Sequence, residues 1–259
     1  MSETLKISVI TACFNSQATI GEAIATLKHQ SWPEVEHVVI DGASKDETVA
    51  VAQRTLGNED VLVSEPDRGI YDALNKGIER ASGEVIGFLH SDDLYAHDEV
   101  LANVAACFND PMVGAVYGDL QYVDSEDTER VIRHWVAGTF SQSKLKLGWM
   151  PPHPTFFMRR ELYQDLGGFD LGYLIAGDYD ALLRYFASEK VRATYLPEVL
   201  VKMRVGGASN GSLKQILRKS REDVAAMRKN GINPLVALPC KNLSKLPQFL
   251  AKSKRNEIG

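Results

Sequence analysis

The stretch Ile7-Ser8-Val9-Ile10-Thr11-Ala12-Cys13-Phe14-Asn15 decides the fold. It opens as a short apolar and β-branched run and ends in polar residues, the form of a buried strand that runs out into a loop. The next segment has a different period: Ile20, Ala23, Ile24 and Leu27 fall at i, i+3, i+4 and i+7, one face of a helix. The alternation then repeats. Residues 35–40, 61–64, 85–89 and 113–117 read as further strands. Helical stripes run through Ile70, Ala73, Leu74, Gly77 and Ile78 and through Val100, Leu101, Val104, Ala105 and Phe108. Strands alternating with one-sided helices predict βα units and a doubly wound, mostly parallel α/β sheet ending near residue 120.

Beyond residue 120 the pattern changes. A polar hairpin-like stretch (121–135), a Pro151-Pro152 loop, an aromatic strand (155–158), Gly167-Gly168-Phe169-Asp170, a helix (178–187) and a strand (191–203) predict a smaller mixed half. From Gly206 a glycine-rich stretch leads into basic helices expected to break at Pro234, Pro239 and Pro247.

At 259 residues with 44% hydrophobic and 24% charged content, the chain is an ordinary globular sequence. No segment approaches the roughly 18 uncharged apolar residues of a membrane-spanning helix. The start, Met1-Ser2-Glu3-Thr4, has neither the basic flank nor the longer apolar core of a secretory signal, so a cytoplasmic protein is expected. Cys13, Cys107 and Cys240 are odd in number and far apart, which argues for reduced thiols rather than a disulfide framework or zinc knuckle. The net charge of −5 hides an asymmetry: residues 202–259 carry 13 Lys/Arg and 3 Asp/Glu, leaving 16 and 31 for the rest.

In an open α/β sheet ligands bind where the strands end. Here those ends are Thr11 to Asn15, Asp41-Gly42-Ala43-Ser44, Glu65-Pro66-Asp67-Arg68-Gly69 and His90-Ser91-Asp92-Asp93, so carboxylates crowd one edge. No Gly-x-Gly-x-x-Gly follows the first strand and there is no Gly-x-x-x-x-Gly-Lys loop, which sets aside dinucleotide enzymes and P-loop ATPases. Asp92-Asp93 suits a hard divalent cation that keeps positions for phosphate oxygens. The same pair could instead cap a following helix.

These elements together resemble the family 2 glycosyltransferases, inverting, metal-dependent, nucleotide-sugar enzymes with the GT-A fold. The matching pieces occur in the family's order: residues 8–15, 37–46, 81–86 leading to Ser91-Asp92-Asp93, Gly167-Gly168-Phe169-Asp170 and Gly177-Asp178-Tyr179-Asp180. They cover roughly residues 5 to 210. The run from Glu65 to Gly77 is similar to a bacterial subgroup that adds single sugars to O-antigen, capsule or exopolysaccharide repeat units.

The resemblance implies a Rossmann-like GT-A sheet with a nucleotide-sugar-binding half (1–120), an acceptor and catalytic-base half (121–210) and a basic helical tail (211–259). It implies that Thr11, Ala12 and Phe14 line the nucleobase and ribose pocket and that Asp41 accepts the uracil ring N–H, a cap or an Asx-turn before Gly42-Ala43-Ser44 being the lesser alternative for Asp41. Asp67 and Asn75 match further nucleotide-contacting positions. Asp92 is expected against the ribose or a metal-bound water, and Asp93 on Mn²⁺ or Mg²⁺. Asp178 matches the catalytic base, at a helix start where an N-cap is the other reading. His153 could contact the donor phosphate or the acceptor, or be structural. Two departures stand out: many relatives carry Glu-Asp in place of Gly177-Asp178 and Arg-Asn in place of Leu74-Asn75, so Lys76 or Arg68 would supply the missing positive charge.

The expected substrates are a UDP-sugar donor carrying a hexose or N-acetylhexosamine and a lipid-linked glycan acceptor. Gln215-Ile216-Leu217-Arg218-Lys219 lacks the Trp of the processive Gln-x-x-Arg-Trp motif, so one sugar per encounter is expected. Basic and apolar residues interleaved in the tail suit an anionic membrane surface, a solvated helical face being the alternative. The acidic body argues against nucleic acid. An inactive nucleotide-sugar-binding partner of a polysaccharide machinery is the competing class. A nucleotidyltransferase is disfavoured by the lack of its Gly-rich, Arg-containing loop.

Overall fold

The computed structural model describes residues 4–57, 59–206 and 213–244. Its first half is β1 (Ile7–Cys13), α1 (Ile20–Lys28), β2 (Val35–Asp41), α2 (Thr48–Thr55), β3 (Val61–Ser64), α3 (Ile70–Arg80) and β4 (Val85–Phe88), with parallel strands in the order β3-β2-β1-β4. The side chains of β1 alternate as a strand buried on both faces requires. Ile7 and Val9 pack into one apolar cluster with Val100, Leu101 and Val104, and Ile10 and Ala12 into another with Leu74 and Phe88. The sequence pattern misses α2, because only Thr48 and Ala52 of its residues are buried, too sparse a stripe to show a period.

The sheet continues through β5 (Asp93–Tyr95), β6 (Ala115–Val123), β7 (Val131–Trp135), β8 (Phe157–Arg159) and β9 (Ala193–Arg204), as β4-β8-β6-β9-β5 with β7 against β6. Here the pairing is mixed: β8 is antiparallel to β4 and β6, β9 parallel to β6, and β5 antiparallel to β9. The helices of this half are α4 (Val100–Cys107), α5 (Gln142–Lys146), α6 (Arg160–Leu166), α7 (Gly177–Ala187), α8 (Leu213–Lys229) and α9 (Pro234–Leu243). The α/β alternation passing into mixed pairing is as the sequence predicts and the polar stretch forms the β6–β7 hairpin, but the strand expected at 113–117 to close the parallel half is β6, antiparallel to β8 and parallel to β9.

Three boundaries differ. β6 runs on to Val123 because it is flanked by β9 along its length. The aromatic strand starts at Phe157, since residues His153–Thr155 take a 3-10 turn after Pro152. Pro239 does not break α9, and Pro234 is its first helical residue, where a missing N–H costs nothing. Over residues 213–244 the basic region is therefore part of the folded body: Ala226, Met227 and Ala237 are fully buried in the cluster that holds α7. Pro247 and the basic residues after it lie outside the described residues. All three cysteines are free.

Candidate active site

The parallel register brings Cys13, Asp41 and Ser64 level, so the loops after β1, β2 and β3 meet at one edge. Two of them turn through left-handed backbone at non-glycine residues, Asn15 (φ 50°) and Ala43 (φ 61°), the kind of local strain that gathers at functional sites. They are tied together: Ser44 Oγ accepts the N–H of Asn15 at 2.8 Å, and Asn15 Oδ1 accepts the N–H of Lys45 at 3.0 Å.

Asp41 is completely buried and its oxygens are occupied. They accept the Ser44 N–H at 2.9 Å, the Ser64 hydroxyl at 2.6 Å and the Ser44 hydroxyl. The Ser44 N–H is three residues on, so the carboxylate closes the loop after β2 one residue later than an Asx-turn would, and the neighbouring Asp67 remains half-buried. Asp67 Oδ1 accepts the Gly69 N–H at 2.8 Å, while Oδ2 would lie 2.5 Å from a Cβ at Gly42, with Phe14 3.4 Å from the same point. Gly42, Asp67 and the exposed Phe14 thus form one cluster. Thr11 points the other way. Its hydroxyl donates to Leu89 O at 2.7 Å and meets His37 Nε2 at 2.9 Å inside the sheet, so the Thr11 side chain is spent on the interior and Ala12 sits buried behind Phe14.

Asp92-Asp93 follows β4, and Asp93 opens β5; no helix begins until Val100, so the pair caps none. Asp93 is 1% exposed, and neither carboxylate oxygen has a hydrogen-bond partner among the described residues. Burial pushes its carboxyl well above the usual range, Asp92 pushes it further and Arg204 pulls back. Arg204 is a site residue the sequence reading missed. At the end of β9 its guanidinium donates to Asp92 O at 3.0 Å and pairs with Glu22, gripping the turn that carries both carboxylates. Its signal was a charged residue closing an apolar strand. A buried carboxylate without partners fits a divalent cation. No group of three or more His, Cys, Asp or Glu that could hold a metal occurs among the described residues, so Asp93, with Asp92, would supply one or two oxygens and a diphosphate the others.

Asp178 stands in the first turn of α7, half-buried, with Oδ1 accepting the N–H of Tyr179 at 2.8 Å. The N-cap itself is Ala176. The Tyr71 hydroxyl donates its one proton to Ile175 O at 2.7 Å, with Asp178 Oδ1 3.3 Å away as the weaker, alternative acceptor. Tyr71 also explains Gly177: a Cβ there would meet three Tyr71 ring carbons at 2.7 to 2.9 Å. The departure from Glu-Asp follows from what α3 packs there. Asp178 shares its surroundings with the acid pair. His90, lowered by burial, feels the opposing charges of Asp92 and Asp178. The Tyr122 hydroxyl, raised by burial and lowered by Arg133, is raised by both Asp93 and Asp178.

The remaining candidates sit further off. Asn75 is fastened to the Phe169 backbone, donating to Phe169 O at 2.8 Å and accepting the Phe169 N–H at 2.8 Å. A cavity of about 430 Å³ beside it, lined also by Ile78, Arg160 and Tyr163, touches none of the other candidates. Lys76 pairs with Glu65 at 3.1 Å and with Asp72 at 3.8 Å; Arg68 pairs with Asp72 at 2.9 Å and stays largely exposed. His153 is buried, stacked on Phe88 at 5.0 Å and 5.8 Å from His90, and burial pushes its pKa down to about 3. Leu74 is fully buried core.

Residues 8–168 match the model of glycosyl transferase family 2. A PGL/p-HBAD biosynthesis glycosyltransferase of Mycobacterium bovis is 29% identical over 208 residues, 78% of each chain. A glycosyltransferase of Mycobacterium tuberculosis is 32% identical over 192 residues, 71% of this chain and 70% of the relative. Two solved structures share the architecture. A mannosyltransferase of Pyrobaculum calidifontis, in complex with GDP-Man and Mn²⁺, superposes with a TM-score of 0.67 at 23% identity, covering 96% of this chain and 74% of that one. S. aureus TarS in complex with UDP-GlcNAc gives 0.68 at 18% identity, covering 98% and 77%. At such identities these likenesses speak for the fold, which is GT-A. With the family match spanning most of the sheet and the relatives spanning both halves, the chain belongs to glycosyl transferase family 2.

Proposed function

We propose that the protein transfers one hexose or N-acetylhexosamine from a UDP-sugar to a lipid-linked glycan, with inversion, in the synthesis of a bacterial surface polysaccharide or glycolipid. The observation that carries this reading is Asp93, buried beside Asp92 in the turn after β4 with no hydrogen-bond partner for its carboxylate among the described residues. Asp178 takes the proton of the acceptor hydroxyl as that oxygen bonds to the anomeric carbon from the face opposite the leaving group. The bond from that carbon to the diphosphate oxygen breaks, and UDP leaves with the electron pair. Asp93 would hold Mn²⁺ or Mg²⁺, which neutralises the diphosphate. Asp67 and Phe14 at the pocket mouth read the nucleobase, with Asp41 shaping the loop that carries them. His153 packs against Phe88 and His90, and Lys76 or Arg68 would supply the positive charge for a phosphate.

The PGL/p-HBAD biosynthesis in the mycobacterial relative's name and the nucleotide sugars bound by the two structural neighbours support this substrate class. No helix among the described residues is long and apolar enough to cross a membrane. We infer contact with the inner face of the cytoplasmic membrane through α8 and α9, which expose Ile216, Leu217, Leu235, Val236 and Leu243 as well as Arg218, Lys219, Arg221 and Arg228.

The test is thermal-shift or calorimetric titration with a panel of nucleotide diphosphate sugars, with and without Mn²⁺, on the wild type and Asp93→Ala. A UDP-sugar whose binding needs both Mn²⁺ and Asp93 is the expected result. A metal-independent response to every nucleotide would sink the reading and favour a non-catalytic binding partner.

A further inference from the structure

We propose that Glu222, on α8, is a positioning residue for transfer: it fixes the backbone that leads into α7 and so sets where Asp178 points. The proposal rests on Asp178 being the base. Glu222 Oε2 accepts three consecutive N–H groups, Leu174 at 3.1 Å, Ile175 at 2.8 Å and Ala176 at 3.0 Å. Successive amides converging on one anionic oxygen form a nest, and charge-assisted bonds of this kind are stronger than neutral ones. Ala176 is the N-cap of α7 and its side chain can cap nothing, so the amides at this helix entry take their acceptor from another helix.

The same segment is held from its other side. The Tyr71 hydroxyl donates to Ile175 O at 2.7 Å, so Glu222 holds the N–H of residue 175 while Tyr71 holds its carbonyl. One turn further on, the fully buried Asp180 accepts from Lys229 Nζ at 3.1 Å and from Asn230 Nδ2 at 3.1 Å, both at the C-terminal end of α8. The segment following β9 therefore meets α7 at two separate places, and the Glu222 contact is the one made to the backbone that enters the helix before Asp178. A base must lie within hydrogen-bond reach of the proton it takes, and a displacement of about 1 Å costs on the order of a hundredfold in rate. Glu222 acts on the rate through that placement. Its hydrogen bonds given among the described residues go to residues 174–176, so the effect is expected on kcat rather than on donor binding.

The experiment compares Glu222→Ala, Glu222→Gln and Asn230→Ala in the full chain. Amide hydrogen exchange is read over residues 174–180, UDP release from UDP-glucose and UDP-N-acetylglucosamine gives kcat and KM, and UDP with Mn²⁺ gives the donor-site affinity. Glu222→Ala should free the three amides, lower kcat at least about tenfold and leave KM and UDP affinity within about twofold. Glu222→Gln keeps an acceptor oxygen and should stay within about threefold of wild type. Asn230→Ala loosens the same pair of helices elsewhere and should leave exchange at 174–176 and kcat near wild type. The proposal is overturned if Glu222→Ala turns over at the wild-type rate, or if Asn230→Ala lowers kcat as much. A wild type that binds neither UDP nor releases it from either donor overturns the transferase reading itself, an outcome separable from an intact or broken tether in the exchange data.

Discussion

Replacing Gly177 with Ala tests the packing that holds the candidate base. The new Cβ would lie 2.7, 2.8 and 2.9 Å from Tyr71 Cε2, Cδ2 and Cζ, distances at which something must move. The ring has little room to yield, being stacked on Phe169 at 5.6 Å and anchored by its hydroxyl to Ile175 O at 2.7 Å. Overpacking of this kind costs about 1–3 kcal/mol, while Ala in place of Gly in a helix returns up to about 1 kcal/mol. With the full return set against it, Gly177→Ala should therefore destabilise by up to about 2 kcal/mol. In a Tyr71→Ala background the obstacle is gone, and the same substitution should become stabilising by up to about 1 kcal/mol. The change of sign is the prediction, a coupling of about 1–3 kcal/mol between residues 71 and 177. Urea unfolding of the four proteins of the cycle, followed by tryptophan fluorescence and circular dichroism, measures it. A Gly177→Ala that stabilises the wild type, or costs the same in both backgrounds, refutes the argument that Tyr71 dictates Gly177.

Asp178→Asn should lower transfer by about 10²–10⁴-fold while UDP affinity in Mn²⁺ stays within about threefold, as read by coupled UDP release and calorimetry. Asp93→Ala should abolish the Mn²⁺ dependence of UDP binding without lowering the melting temperature, because the carboxylate it removes has no hydrogen-bond partner among the described residues. Acid should destabilise the protein through His153, whose pKa falls from 6.5 to about 3 on burial. Between those values the unfolded chain binds more protons, so stability drops as the pH falls, by up to about 1.4 kcal/mol per pH unit, and His153→Phe should flatten urea-melt stability over that window.

The fold was legible because its strands and helices announce themselves by period: Ile20, Ala23, Ile24 and Leu27 are the buried face of α1, as their spacing requires. The acid pair was legible as residue types at a strand end. What the sequence hides is partnership over long separations. Asp41 and Asp67 are both carboxylates after strands, and only the Ser44 and Ser64 hydroxyls turned onto Asp41 distinguish the occupied one from the accessible one. Asn75 lies in a motif that looks like a ligand, yet its amide pairs with a backbone 94 residues away. Glu222 sat unremarked in a basic run, because nothing local says that its carboxylate meets residues 174–176.

The same long-range pairing changes the meaning of the charge asymmetry. Part of the positive charge after residue 202 is turned onto acidic groups of the fold. Lys229 meets Asp170 at 2.8 Å and Asp180 at 3.1 Å, Lys241 meets Asp223 at 2.9 Å in a largely buried pair, and Arg204 is committed to Glu22 and the Asp92 turn. Arg218, Lys219, Arg221 and Arg228 are instead exposed on α8. If the asymmetry serves a membrane, these four carry the described part of it. At about 1 kcal/mol per basic residue near an anionic surface, replacing all four with Ser should weaken binding to phosphatidylserine vesicles by about 4 kcal/mol at low salt, near a thousandfold. The effect should shrink as ionic strength rises and the Debye length falls to about 8 Å. Sedimentation with anionic and with neutral vesicles measures it. Equal binding to both lipids, or a quadruple variant that sediments like the wild type, would show that these charges serve solvation alone.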